Sequence, residues 1–317
     1  MSSPLLSICI PAFKRPEQMK RLLDSLSQQT FKDFEVIVAD DTPGNEVIEV
    51  VSNFPGLPIQ YYKNEPAAGM PGNWNGVMQK ATAPWIQLMH ADDWYVSPGS
   101  LAAFAEVCKR TSNSFIFCAS REINKEGRIS KTLQLNTSRL DSLKADPYHL
   151  VYDNVIGHPS VVLHKKDSNI QYNIAFRWVV DIDYYLRYLH QHPDFDYINE
   201  PLINIGIDEE QVSFSAYKNP DVEIPEYLQL ISHLPEEIQR SNRYVFYSVW
   251  NLVKKFRIKN TAYIAAHGYA GKLPEAIQFI ITYQQKFPRF VLKQTDWSAM
   301  FVKRCYKKWC RKIGKPA

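Results

Sequence analysis

No stretch of this 317-residue chain approaches the roughly 18 to 20 consecutive apolar residues that a membrane-spanning helix needs. Its start, MSSPLLSICIP, lacks a basic segment followed by a long apolar core. An unexported chain without a membrane span is therefore the expectation. Cysteine is scarce: Cys9, Cys108, Cys118, Cys305 and Cys310 show no C-x-x-C spacing and mostly sit in apolar stretches. That speaks for buried thiols in a reducing cytoplasm rather than disulfides or zinc ligands. Neither G-x-x-x-x-G-K-[ST] nor G-x-G-x-x-G occurs, which argues against P-loop and dinucleotide-binding chemistry. No segment is of low complexity, and no internal repeat is evident. Acid is missing from residues 303–317, which carry Lys303, Arg304, Lys307, Lys308, Arg311, Lys312 and Lys315. Without these residues the net charge of +4 becomes about −3, so the basicity is local.

What is present describes a folded protein, with 45% apolar and 22% charged residues. Residues 5–11, 34–40, 59–64 and 85–90 read as short buried strands. Helical patterns intervene at 15–29, where Met19, Leu22, Leu23 and Leu26 share one face, and at 45–54 and 73–82. Ser97 and Pro98 suit the start of a further helix, as N-cap and first helical residue. This β-α-β-α-β-α-β order predicts a mostly parallel sheet covered by helices. Past residue 114 the strands shorten, a helix is expected over about 180–190, and beyond 220 only amphipathic helical stretches follow. The division expected is an α/β domain over 1–215 and a helical appendage over 220–317.

Open α/β sheets bind ligands at the carboxyl ends of their strands. Asp40 and Asp41 end the second strand and Asp92 and Asp93 follow the fourth, with no lysine or arginine immediately beside either pair. Four unpaired carboxylates in one crevice would repel one another and raise their pKa values. A divalent cation relieves that conflict, and Mg²⁺ or Mn²⁺ typically takes one or two carboxylates plus substrate phosphates. The bland alternative is that each pair serves a turn or helix cap.

Together, SICIPAFKRPEQMKRLLDSL, FEVIVADDT, the N-x-x-x-x-G-x-x-x-N-W-N run from Asn64 to Asn75, and ADDWYVSP resemble the inverting nucleotide-sugar glycosyltransferases of family 2, with their GT-A fold. The resemblance covers about residues 5–215. It implies a Rossmann-like, mostly parallel sheet, a nucleotide pocket formed by Pro11, Ala12, Phe13, Asp40, Asp41, Asn73 and Asp92, and a metal, Mn²⁺ or Mg²⁺, on Asp93. Many relatives carry an aspartate where this chain has His90, which binds magnesium poorly and is expected to be a partly buried, hydrogen-bonded strand residue. FRWVVDIDYYLRYL (176–189) resembles the segment that carries the general base, which the match assigns to Asp181, with Val180 replacing a usual glutamate. The rival role for Asp181 is a helix N-terminal charge. Asp183 and Arg187, four apart, suit a helical ion pair. His158 and Trp94 fall on the acceptor side by the same resemblance, although His158 equally suits a turn before Pro159. Where the family often has a histidine after the last strand, IGIDEEQVSFS leaves Asp208 or Gln211.

The implied activity is metal-dependent, inverting transfer from a UDP-sugar to a hydroxyl of a glycan or lipid-linked acceptor in bacterial surface polysaccharide synthesis. The rivals are a non-catalytic sugar-nucleotide or glycan-binding subunit and a nucleotidyltransferase on a similar sheet. At about 100° per residue, 297–313 segregates Phe301, Val302, Cys305, Tyr306, Trp309, Cys310 and Ile313 from a face of Lys and Arg. Such a helix either lies in an anionic membrane interface or packs its apolar side on the protein. The cytoplasm, with peripheral attachment to the inner membrane face, is the expected location, and no nucleic-acid partner is expected.

Overall fold

The computed structural model describes residues 3–207, 216–287 and 295–316. The segment holding Asp208 and Gln211 lies outside them. The chain divides into two compact units. The first comprises Met1–Pro147, Val155–Phe176 and Asp183–Phe214, and the second Tyr148–Asn154, Arg177–Ile182 and Ser215–Ala317. Two short segments upstream of residue 215 thus belong with the C-terminal helices.

The first unit is built on a nine-stranded mixed sheet: β1 (Leu6–Ala12), β2 (Phe34–Asp40), β3 (Ile59–Lys63), β4 (Trp85–Leu88), β5 (Trp94–Tyr95), β6 (Phe115–Ile123), β7 (Ile129–Leu133), β8 (Val162–Lys165) and β9 (Asp196–Gly206). Its order is β3-β2-β1-β4-β8-β6-β9-β5, with β7 hairpinned to β6. The β3-β2-β1-β4 half is wholly parallel, and β8 joins it antiparallel to both β4 and β6. A strand covered on both faces is largely apolar, and all seven residues of FEVIVAD in β2 are buried, Glu35 and Asp40 with hydrogen-bond partners. The helices are α1 (Pro16–Ser27), α2 (Glu46–Ser52), α3 (Gly72–Gln79), α4 (Ser100–Arg110) and α5 (Thr137–Ala145). The apolar stripe of α1 is buried as its periodicity predicts, through Met19, Leu22, Leu23 and Leu26. Helix α4 starts later than expected: Gly99 is its N-cap, and the Ser97 amide donates to Ser100 Oγ instead.

Among its described residues the second unit is helical: α6 (His149–Tyr152), the first turn of α7 (Val180–Gln191), then α8 (Pro220–Ser232), α9 (Glu236–Ser241), α10 (Arg243–Phe256), α11 (Thr261–Ala266), α12 (Ala276–Gln284) and α13 (Thr295–Lys312). Three of these starts are capped by asparagine side chains, Asn219, Asn242 and Asn260, which satisfy amides left free at a helix N-terminus. Helix α10 buries Val245, Phe246, Val249, Trp250, Leu252 and Val253, and α13 packs on α10 and α12. Phe301, Val302, Cys305, Trp309 and Cys310 of α13 are buried. Trp309 Nε1 donates to the Arg240 carbonyl at 2.9 Å, and Tyr306 Oη to that of Ser241 at 2.6 Å. Of the two alternatives the sequence leaves for the apolar face of 297–313, packing on the protein is the one found. Each large side chain gains about 1.5–3 kcal/mol on burial, so the face stays covered. Lys303, Arg304, Lys307, Lys308, Arg311 and Lys312 remain exposed. All five cysteines are buried and free, as expected, and burial pushes the thiols of Cys9, Cys108, Cys118 and Cys305 up.

Trp309→Ala should therefore destabilise the protein by about 3–5 kcal/mol, whereas Lys307→Ala should stay within about 0.5 kcal/mol. Urea denaturation checks both, and equal midpoints would show that the helix is not docked.

Candidate active site

The carboxyl edge of the parallel half-sheet gathers the sequence-predicted residues, but not in the way their charges alone suggest. Asp40 ends β2 with no exposed surface. Its carboxylate accepts from the Thr42 amide at 2.8 Å, Tyr61 Oη at 2.7 Å and Lys63 Nζ at 3.1 Å. Asp41, 5% exposed, accepts from Asn64 Nδ2 and the Ala68 and Gly69 amides at 2.8–3.0 Å. Asn73 donates to the Ala39 carbonyl at 2.9 Å and accepts from Asn64 at 3.1 Å. These side chains bind one another and the loop of residues 64–73, and Asp40, Asp41 and Asn73 are buried.

The expectation of four unpaired carboxylates around one cation is thus corrected. Lys63 and backbone amides serve the first pair, and Arg15 meets Asp92 at 3.1 Å. Arginine and lysine distant in sequence supply what the adjacent residues lack. The β1–α1 loop that brings Arg15 in is unusual, since Lys14 and Arg15 both have positive φ, 58° and 56°, a region costly for residues with a Cβ. The Lys14 amide donates to Thr42 Oγ1 at 2.6 Å and the Asp41 amide to the Ala12 carbonyl at 2.9 Å. Pro11 is half-buried and Ala12 buried, while Phe13 is 56% exposed. Of Pro11, Ala12 and Phe13, all expected in the nucleotide pocket, Phe13 presents an exposed ring.

After β4 the chain turns through His90, Ala91, Asp92 and Asp93. Donor atoms of His90, Asp92 and Asp93 all lie within 4.8 Å of one another. Asp93 is 1% exposed; its Oδ1 accepts from the Gly206 amide at 3.1 Å, but its Oδ2 is buried without a partner. His90 Nε2 is likewise buried and unpartnered. The histidine is half-buried as expected and its amide donates to Ser160 Oγ at 3.0 Å, but it lies beyond the end of β4 and its ring packs 4.7 Å from Trp74. Burial, reinforced by Asp92, holds the Asp93 carboxyl well above the usual carboxylate range, with Ser160, Gly206 and Arg21 opposing. Burial lowers His90 to about 4, against the pull of Asp92, and leaves it a neutral imidazole at pH 7. Two orphaned buried atoms in one three-residue cluster are costly unless something bridges them. Two carboxylates and a neutral imidazole are a donor set that fits a divalent cation.

The turn is held from outside. Arg21 Nη2 donates to the Asp92 carbonyl at 2.8 Å while its guanidinium lies 3.7 Å over Trp94. Trp94 thus supports the cluster from below and also lines a pocket of about 540 Å³ with Arg21, Asp92, Arg121 and Gly206. Gly206 is irreplaceable in steric terms: a Cβ there would lie 2.5 Å from the Asp92 carbonyl oxygen. His158 faces the same charges, since burial lowers its pKa while Asp92 and Glu122 raise it. Arg15, Arg21, Ser160 and Gly206 escape sequence reasoning because their partners are 70 or more residues away.

Asp181 belongs to the second unit. It accepts from Asn154 Nδ2 at 2.8 Å and the Ile182 amide at 2.9 Å. Burial pushes its carboxyl up to about 6 despite those bonds. Asp183 and Arg187 form the expected ion pair at 2.6 Å.

Comparison with known proteins bears on the family and the fold. The family model described as "Glycosyl transferase family 2" matches residues 7–177. A curated relative, the GalNAc(5)-diNAcBac-PP-undecaprenol beta-1,3-glucosyltransferase of Campylobacter jejuni, is 29% identical over 131 residues, 40% of this chain and 41% of that protein. The match therefore spans less than half of that relative. Among solved structures, S. aureus TarS 1–349 in complex with UDP-GlcNAc superposes with a TM-score of 0.59 at 15% identity, covering 98% of this chain and 92% of that one. A mannosyltransferase from Pyrobaculum calidifontis in complex with GDP-Man and Mn²⁺ gives 0.56 at 13% identity, covering 98% and 87%. At such identities the likeness shows the fold, which is GT-A with a helical C-terminal region.

Because Gly206 abuts the Asp92–Asp93 turn, Gly206→Ala should weaken Mn²⁺ binding roughly ten- to hundred-fold in calorimetry with UDP present. Gly56→Ala, where nothing lies within 4 Å of a Cβ, should leave it unchanged.

Proposed function

The chain belongs to glycosyl transferase family 2 and is a glycosyltransferase, and from that premise we propose that it carries out metal-dependent, inverting transfer from a UDP-sugar to a hydroxyl of a glycan or lipid-linked acceptor. The observation that carries this reading is the cluster in which His90 Nε2 and Asp93 Oδ2 are both buried and unpartnered. His90, Asp92 and Asp93 would hold the cation, and the imidazole favours manganese over magnesium. When bound, the cation neutralises charge developing on the departing diphosphate. Phe13 and the loops held by Asp40, Asp41 and Asn73 would take the uridine. UDP as carrier draws support from the UDP-GlcNAc held by TarS. A lipid-linked acceptor draws support from the name of the Campylobacter relative.

Inversion requires a base on the face opposite the leaving group. In this reading Asp181 takes the acceptor hydroxyl's proton as the oxygen bonds to the anomeric carbon and the bond to the diphosphate oxygen breaks. Only the ionised carboxylate can do so. A carboxyl raised to about 6 makes transfer fall as pH drops through about 6 and level off above it. Family membership sets aside the non-catalytic and nucleotidyltransferase rivals.

No helix among the described residues is long and apolar enough to cross a membrane. With the apolar side of α13 covered, attachment to the inner membrane face in surface polysaccharide synthesis would rest on charge, through Lys303, Arg304, Lys307, Lys308, Arg311 and Lys312. Juxtaposed lysines and arginines each contribute about 1 kcal/mol at an anionic surface, and salt screens that attraction.

Asp181→Asn should lower transfer on the order of 10²- to 10⁴-fold and abolish the acid limb near pH 6, with UDP-sugar affinity within about two-fold by calorimetry. Full activity in that variant would reject Asp181 as the base. Separately, the protein should co-sediment with phosphatidylglycerol vesicles at low salt and be released at about 1 M salt, where the screening length falls to about 3 Å. Salt-resistant sedimentation would mean insertion instead.

A further inference from the structure

Glu226 of α8 is a buried carboxylate, 8% exposed, and among the described residues no lysine or arginine pairs with it. Among the described residues its partners are backbone amides. The Arg177 amide reaches both oxygens, at 3.1 Å (Oε1) and 3.0 Å (Oε2), and the Trp178 and Val179 amides reach Oε2 at 2.7 and 3.2 Å. Three consecutive amides converging on one anion form a nest, and this one sits directly ahead of Val180, where α7 begins. The positive end of that helix adds to the attraction.

Asp181 is the second residue of the helix so anchored. Its place is set by Asn154 on one side and by the nest on the other. We infer that Glu226 is a positioning residue for Asp181, and that the C-terminal helices are thereby part of the catalytic apparatus rather than an appendage to it. This rests on the reading of Asp181 as the base. The physical link is rigidity. A carboxylate that strips a proton in the transition state must hold its place to a fraction of an ångström, and misplacement by about 1 Å can cost on the order of 10²-fold in rate. Glu226 restrains the three residues on which the first turn of α7 hangs. Tyr227, the next residue of α8, is a titratable group that feels Asp181: its phenol is raised by burial and by Glu223, Asp181 and Asp153.

The test compares Glu226→Gln and Glu226→Ala with the wild-type full chain, using a UDP-sugar that the wild type turns over. In Glu226→Gln one acceptor oxygen becomes an amide NH₂ that opposes the nest. Its kcat should fall roughly ten-fold, and that of Glu226→Ala on the order of 10²-fold, with UDP-sugar affinity within about two-fold. The acid limb should also move down from about 6 as water reaches Asp181, a change that lost stability alone would not produce. Wild-type kcat and an unmoved limb in Glu226→Gln, assayed well below its melting temperature, would overturn the inference. Should Glu226→Ala fail to fold, the glutamine variant decides alone. The two readings also fail differently. If Asp181→Asn remains active, the base assignment is lost, whereas an inactive Asp181→Asn beside a wild-type Glu226→Gln removes only the positioning role.

Discussion

A carboxylate taken out of water must find a cation, a set of hydrogen-bond donors or a proton, and the candidate site is organised by how each of its acids meets that demand. Asp40 takes a lysine, a phenol and an amide; Asp41 takes an asparagine and two amides; Asp92 takes Arg15. Asp93 alone keeps an oxygen with no donor, beside a histidine nitrogen in the same condition. An isolated buried polar atom is expensive, and concentrating the deficit at one turn leaves that turn ready for a doubly charged ion. The surrounding scaffold, Arg21 stacked on Trp94 and Gly206 pressed against Asp92, holds the turn in the form that keeps the deficit.

The same electrostatic logic recurs at the other acid of interest. Asp181 is raised by burial, yet it is not left without donors: Asn154 and the Ile182 amide keep it within reach of ionisation near neutral pH. A base needs this intermediate condition, since a fully satisfied carboxylate is too weak and an unsatisfied one stays protonated. The nest around Glu226 shows a third solution, an anion sustained by peptide dipoles.

Much of this was legible in the sequence because it depends on local chemistry. The strand and helix alternation of the first 110 residues follows from apolar periodicity, and the buried stripe of α1 is the one its spacing dictates. Each residue of Asn73-Trp74-Asn75 proved specific: Asn73 ties β2 to the loop, Trp74 lies against His90, and Asn75 exchanges two hydrogen bonds with the backbone of Tyr172. The pairing of the acids was not legible, because Lys63 and Arg15 reach Asp40 and Asp92 across 23 and 77 residues. Nor was the fate of the terminal helix. Its wheel defines an apolar face but cannot say whether lipid or Arg240 and Ser241 will receive it. The short segments 148–154 and 177–182 carry no composition that would assign them to the C-terminal helices; His149 against Tyr244 of α10 and the amides of 177–179 on Glu226 do so.

The distribution of the free cysteines gives this architecture an internal gauge. Cys9, Cys108 and Cys118 belong to the sheet-bearing unit and Cys305 and Cys310 to the helical one. A thiol enclosed in apolar surroundings is shielded from alkylating reagents until its neighbourhood opens. Tagging with a thiol probe, followed by peptide mapping, would therefore register the opening of each unit separately and in its native setting, with no engineered label.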